Sequence, residues 1–217
     1  MSTGEDSEIF LTQNGNILEA VCGIGRYLMA LSIKGYKVLG LDWAQQTLFD
    51  AKMTWSGAPF IIGEINQLPF PTAPLAVVIS LGVIEHFLNP WILLNDFSRV
   101  QKPGGILNLV VPYENNLRKH QRYKGKYPNR DSPHDFYQFL FNRNEIEPEI
   151  TRFGFSMINC FATSGYAGLI DEWKNLDKFI QRLPFSHRLI NYLNRSRVLG
   201  KISVHIIHII CKKVPLE

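Results

Sequence analysis

The sequence predicts an α/β domain: a mostly parallel sheet with helices on both faces. Three observations carry that expectation. Short apolar runs alternate with stretches of helical spacing along the chain. The first run, Ile17 to Val21, is broken only by Glu19 and passes straight into a glycine turn, Cys22-Gly23-Ile24-Gly25. A second run, Lys37 to Leu41, ends on Asp42. Runs apolar almost throughout belong to strands covered on both sides, and helices crossing between parallel strands supply the cover.

Taken in order, Ile17 to Val21 reads as strand one and Arg26 to Lys34 as a helix closed by Gly35. Lys37 to Leu41 is strand two. Ala44 to Ser56 follows as a helix, with Ala44, Leu48, Ala51, Met53 and Trp55 at mostly helical spacing and Gly57 and Pro59 as stops. Phe60 to Ile65 holds the third strand and its exit. Leu68 to Pro74 contains Pro69, Pro71 and Pro74, which fix φ and exclude a central strand. Leu75 to Leu81 is strand four, and a helix through Trp91, Leu94, Phe97 and Val100 ends at Lys102-Pro103-Gly104-Gly105. Ile106 to Pro112 is strand five, Arg143 to Phe153 a further helix, Gly154 to Phe161 strand six and Ile202 to Cys211 strand seven. All 217 residues are expected to form a single domain. A helical insertion at about 165–200 separates its last two strands.

Composition bounds the function. With 46% hydrophobic and 19% charged residues the chain reads as globular, and its polar, acidic first residues do not resemble a targeting peptide. A cytoplasmic location is the expectation. Ile202 to Cys211 is too short to span a bilayer and contains His205 and His208. Cys22, Cys160 and Cys211 are odd in number and lack Cys-x-x-Cys spacing, so neither a disulfide framework nor a thiolate metal site is expected. No His, Cys, Asp and Glu set has ligand spacing, and no metal is predicted.

The chemistry concentrates at the first turn. Gly23 and Gly25 let backbone N–H groups approach a bound molecule, and the next helix offers unpaired donors in its first turn. Asp42 ends the neighbouring strand, where a carboxylate accepts ribose hydroxyls of a nucleoside cofactor. A dinucleotide site wants a third glycine three residues after Gly25, and Leu28 stands there instead, which counts against a nicotinamide-dependent oxidoreductase.

With these motifs the chain resembles the class I S-adenosylmethionine-dependent methyltransferases of small-molecule type. The family's first motif, roughly Glu-x-Gly-x-Gly-x-Gly, stands here as Glu19-Ala20-Val21-Cys22-Gly23-Ile24-Gly25, with Val21 in place of the first glycine. The rest of the resemblance is an ordered set. An apolar strand, Val83-Ile84-Glu85-His86, Pro90, Arg99-Val100, Lys102-Pro103-Gly104-Gly105 and a strand ending in Val111-Pro112 follow one another within a span of about Ile17 to Phe161. The resemblance implies a Rossmann-like sheet of seven strands whose last is antiparallel, and S-adenosyl-L-methionine as cofactor. It places Glu64 against the adenine amino group and the Ile65 N–H against a ring nitrogen. The implied cofactor-binding set is Glu19, Val21, Cys22, Gly23, Gly25, Asp42, Trp43, Glu64, Ile65 and Leu81.

Methyl transfer from a sulfonium needs mainly position, with a base only when the acceptor must lose a proton. His86 and His134 are the candidate catalytic residues, each following the carboxyl-end side of the sheet. Arg118, Lys119, Arg122, Lys124, Lys126 and Arg130, interleaved with Tyr113, Tyr123 and Tyr127, point to a small-molecule acceptor that is anionic, and the apolar stripe of the insertion to one that is lipid-like. Nucleic acid is not expected as the acceptor, because the positive charge is local and no base-flipping motif follows strand four. Leu169, Trp173, Leu176, Ile180 and Leu183 predict a helical cap in the insertion. Its apolar stripe fits the domain's own core, an apolar acceptor pocket, a homodimer partner or peripheral membrane contact, the last favoured by Arg182, Arg188, Arg195 and Arg197. A catalytically impaired S-adenosylmethionine-binding regulatory or interaction module is the alternative reading.

Overall fold

A computed structural model describes residues 15–55, 57, 59–115, 118–120, 138–163, 180–195 and 206–215. The strands are β1 (Asn16–Ala20), β2 (Lys37–Asp42), β3 (Phe60–Ile62), β4 (Leu75–Leu81), β5 (Gln101–Pro112), β6 (Phe155–Thr163) and β7 (Ile206–Lys213). The helices are α1 (Arg26–Ile33), α2 (Gln45–Thr54), α3 (Trp91–Val100), α4 (Arg143–Arg152) and α5 (Ser186–Arg195), with a short 3-10 turn at Ile84–His86. The seven strands form one sheet in the order β3-β2-β1-β4-β5-β7-β6. β7 runs antiparallel to both β5 and β6, and the other pairings are parallel. This is the Rossmann-like architecture expected, with the last strand inserted between its predecessors.

Alternating side chains divide the core by face. On one face Leu28 and Leu31 of α1 and Leu48 and Ala51 of α2 pack on Ile17, Val77 and Ile79. On the other, Leu93, Leu94, Phe97 and Val100 of α3 and Ile146 and Ile150 of α4 cover Leu18, Val78, Leu107 and Ile209. Each of these residues is at most 2% exposed, so both faces of the strands are closed and the strands read as near-continuous apolar runs.

Several boundaries differ from the sequence reading, and those of β1, β5 and β7 bear on the site and the sheet. β1 stops at Ala20, and Val21 is already in the turn with φ of +63°. The apolar pattern could not separate a strand's last residue from the first residue of a turn, since valine favours strands. β5 begins at Gln101, five residues early: Gln101 pairs with Leu75, and the Lys102-Pro103-Gly104-Gly105 stretch forms an irregularity before Ile106 pairs with Val77. Its glycines therefore serve a bulge within a strand, Gly104 at φ of +75°, rather than a free connection. β7 ends at Lys213, two residues late, and residues 202–205 lie outside the described residues. Lys213 Nζ donates to the carbonyls of Ser98 and Gln101 at 2.5 and 2.8 Å, closing the carboxyl end of α3 from across the sheet.

The proline-rich connection before β4 is clamped to α3. The Arg99 guanidinium donates to Asp96 Oδ1 at 2.6 Å and to the carbonyls of Phe70 and Leu68 at 2.6 and 2.9 Å. Asp96, 9% exposed, in turn accepts the Leu68 N–H. Ordering two partly buried charges against backbone groups holds this connection in one place beside the exit of β3.

Candidate functional site

The carboxyl ends of β1, β2, β3 and β4 meet around a cleft of about 350 Å³ walled by Val21, Trp43, Glu64, Ile65, Gly82, Val83, His86 and Phe87. Five of these, Val21, Trp43, Glu64, Ile65 and His86, are residues the sequence singled out. Ligands of open α/β sheets bind at this edge, where neighbouring connections leave in opposite directions.

The first turn is held from below and open above. Cys22 N–H donates to the Leu41 carbonyl at 3.0 Å, and Gly25 N–H to the Cys22 carbonyl at 2.9 Å. Asp42, 3% exposed, accepts the Gly23 N–H on Oδ2 at 2.8 Å and the Ala44 N–H on Oδ1 at 2.9 Å. That one carboxylate ties the β1 turn to the β2 turn. Each of its oxygens retains a further lone pair for a ligand.

The two glycines of the motif do different work. A Cβ on Gly23, at φ of +53°, would meet nothing within 4 Å, so this residue leaves room beside the turn. A Cβ on Gly25, at φ of +73°, would stand 3.0 Å from Phe60 Cε1, so this residue is required by packing against β3. Gly40, which the sequence reading passed over, is the most crowded of the group: its Cβ would lie 2.6 Å from Leu28 Cδ1 and 2.7 Å from Cys22 Sγ.

That contact also places the Cys22 side chain in the core, 7% exposed, where burial pushes its thiol up to about 12. Only its backbone faces the turn. Leu81 likewise packs against the β1 and α1 core, while Gly82 after it lines the cleft. Trp43 stands at the rim, 67% exposed. Val21 is half-buried: it packs against the opposite core cluster while also forming a wall of the cleft. It is a β-branched residue in the left-handed region, which is a strained conformation.

Two buried carboxyls flank the cleft. Glu19, 5% exposed, accepts a backbone hydrogen bond from Leu28 in the first turn of α1, while its Oε2 has no partner. Burial pushes its pKa up to about 8. Glu85, 3% exposed, lies directly before His86; its Oε2 also has no partner, and burial pushes it up to about 7. Its backbone carbonyl accepts the Phe139 N–H at 2.9 Å, joining the turn after β4 to the segment before α4. The sequence reading fixed on His86 and missed Glu85, although the same Val-Ile-Glu-His stretch displayed it.

Other expectations fall elsewhere. His134, Arg122, Lys124, Lys126 and Arg130 lie outside the described residues. Arg118 is 1% exposed, with its N–H capped by Asn115 Oδ1 at 2.8 Å, so it is a buried residue of the segment after β5 rather than part of a solvated basic face. Among the described residues no group of three or more His, Cys, Asp or Glu side chains could hold a metal ion.

Comparison with known proteins agrees with this geometry. Residues 18–109 match the methyltransferase domain family. This match and the relatives below support the class I S-adenosylmethionine-dependent methyltransferase family, with S-adenosyl-L-methionine as the cofactor. It is 26% identical over 157 residues to a probable S-adenosylmethionine-dependent methyltransferase of Mycolicibacterium smegmatis, covering 72% of this chain and 58% of that protein. It is 28% identical over 101 residues to malonyl-[acyl-carrier protein] O-methyltransferase of Yersinia pestis, covering 46% of this chain and 38% of that one. The chain thus spans between about a third and three fifths of the length of these curated relatives. Among solved structures, its fold is similar to a methyltransferase of Methanosarcina mazei, with a TM-score of 0.70 at 17% identity over 97% of this chain and 98% of that one. It is also similar to geranyl diphosphate C-methyltransferase of Streptomyces coelicolor, with a TM-score of 0.65 at 13% identity over 98% and 80%.

Proposed function

We propose that this chain binds S-adenosylmethionine in the cleft and transfers its methyl group to a small, anionic or lipid-like acceptor. The observation that carries the reading is that one cleft gathers Val21, Trp43, Glu64, Ile65 and His86 beside a carboxylate, Asp42, already fixed between the two turns. The residues fit the cofactor. Gly23 leaves room at the turn, Asp42 retains acceptor capacity for ribose hydroxyls, and the exposed Trp43 ring offers an aromatic face at the rim. The unpartnered Oε2 of Glu19 is a further buried polar atom, in the strand that leads into this turn. The cofactor, when bound, supplies a methyl group on a positively charged sulfur.

The protein's part is position and proton handling. Asp42 and the Glu64–Ile65 exit of β3 hold the nucleoside, and the Arg99 clamp keeps that exit from moving. Val83 and Phe87 exclude water from the inner wall. In this reading His86 takes a proton from an acceptor that must lose one, and Glu85 beside it, pushed up to about 7 by burial, changes between hydrogen-bond donor and acceptor with pH. An acidic acceptor is supported by the names of two relatives, a malonyl-[acyl-carrier protein] O-methyltransferase and a geranyl diphosphate C-methyltransferase.

Calorimetric titration with S-adenosylhomocysteine and with NAD tests the cofactor assignment, the first binding and the second not. Asp42→Ala is expected to weaken S-adenosylhomocysteine binding by about 1.5 to 3 kcal/mol, the range for charge-assisted hydrogen bonds, in a protein that remains folded. Wild-type affinity in that variant overturns the role of Asp42. Methyl transfer from labelled cofactor to a panel of carboxylates, diphosphates and lipids then tests activity, and binding without transfer to any of them favours the impaired-module reading.

A further inference from the structure

We propose that α5 and the turn before it form a docking face for an anionic lipid surface. From Lys178 to Lys201 the chain carries six lysines and arginines and no aspartate or glutamate. Such a run is often only a solvated face; what sets this one apart is the arrangement of its aromatic residues. Ser186, Leu189 and Ile190 are half-buried and mark the side of α5 that packs inward. At about 100° per residue, Tyr192 falls roughly 20° and Arg188 roughly 60° from Phe185 on the opposite flank. Phe185 and Tyr192 are 67% and 68% exposed, and Arg182 and Arg188 are exposed beside them. The turn and the helix thus expose two large aromatic rings, Phe185 at the start of α5 and Tyr192 two turns on, with a cation between them.

That strip has the composition of a helix lying in a bilayer interface. Aromatic rings settle at the headgroup level, and arginines meet lipid phosphates, each contributing through the negative surface potential. At ten residues α5 is too short to cross a membrane, and no helix among the described residues is long and apolar enough to do so, so it would lie on the surface. Charge chooses among the occupants. A second copy docked through the same face would set Arg182 and Arg188 against their own equivalents, which repel. Single-stranded nucleic acid is bound in a charged groove with successive stacking rings, and this face is the outside of one helix.

The inference does not depend on methyl transfer, because membrane binding is read without cofactor. Full-length protein is sedimented with vesicles of phosphatidylcholine alone and of phosphatidylcholine with about one quarter phosphatidylserine. At least tenfold stronger partition onto the anionic vesicles is expected. The double variant Arg182→Gln, Arg188→Gln is expected to lose roughly 30-fold, from the usual contribution of two basic residues at such a surface. Phe185→Ser with Tyr192→Ser is expected to lose binding at least tenfold, and thermal melts unchanged from wild type verify that both variants are folded. Equal partition onto both vesicle types, or anionic binding that survives both double variants, overturns the proposal. So does a protein that ignores vesicles but forms a dimer abolished by the aromatic pair, which would give the face to a second copy.

Discussion

The turns that follow β1 and β4 leave the same edge of the sheet, wall the same cleft and use the same backbone conformation, yet they fill it with different residues. Val21 begins the first at φ of +63°, and Gly82 begins the second at +68°. Each stands beside a buried acid with an unpartnered oxygen, Glu19 in one and Glu85 in the other. Glycine adopts this conformation without steric cost, whereas a β-branched residue does so only under constraint. The constraint at Val21 is visible. Its neighbour Cys22 is bonded to β2, Gly23 is bonded to Asp42, and its own side chain packs on the core. Both turns are tied to a neighbouring strand, the second through the Gly82 N–H, which donates to the Val110 carbonyl at 2.8 Å; they differ in that valine is held in this conformation and glycine adopts it freely.

The largest effect that would sharpen this comparison is electrostatic. Glu85 has a folded pKa of about 7 against 4.5 for the free side chain, and Glu19 about 8. Between those values the folded state holds protons that the unfolded chain has released, so stability is expected to fall as pH rises from about 4.5 to 8. Glu85→Gln removes its share, and the difference in unfolding free energy between pH 5 and pH 8.5 should shrink by about 2 kcal/mol. Denaturant melts at the two pH values measure it, and an unchanged difference would show that Glu85 is already ionised in the folded protein.

A smaller effect comes from making the second turn like the first. Gly82→Val places a β-branched residue at φ of +68° and should destabilise by about 1 to 2 kcal/mol. No loss in a thermal melt would mean that the left-handed position costs nothing in this edge. The smallest net change is the reverse exchange. Val21→Gly relieves strain of similar size but loses apolar contact and adds freedom to the unfolded chain, leaving a net stability change within about 1 kcal/mol. Its clearer signature is in binding, since it removes two methyl groups from the wall of the cleft. S-adenosylmethionine should bind more tightly, and equal or weaker binding by the folded variant would show that the valine is accommodated.

Much of the fold was legible because the strands are buried on both faces. Leu75 to Leu81 could be read almost to the residue, since no solvent-facing position interrupts it. Where an irregular backbone carries strand residues the sequence misleads: Val21 looks like the end of a strand, and Lys102-Pro103-Gly104-Gly105 looks like the stop of a helix although strand pairing has already begun at Gln101. The sheet order could not be read from local pattern at all. In the site, residues that present a functional group at a strand end, Asp42 and His86, were visible, because an acid or imidazole after an apolar run has few structural reasons to be there. The burial of Glu85 and the bond its carbonyl accepts from the distant Phe139 N–H leave no local signal, and spacing does not reveal that the Cys22 side chain turns into the core.

The sheet order also dictates a sequence of events as the chain is made. β6 touches the sheet only through β7, which is synthesised some 40 residues later and must slide between β6 and β5. Until then β6 has no edge to add to in its final place, and the Ile106 to Pro112 edge of β5 stays open with its backbone groups unpaired. An open apolar edge invites pairing with another chain. The nascent protein is therefore most vulnerable to association in the interval between these two strands, and closing that interval depends on a single late strand whose last lysine also seals the end of α3.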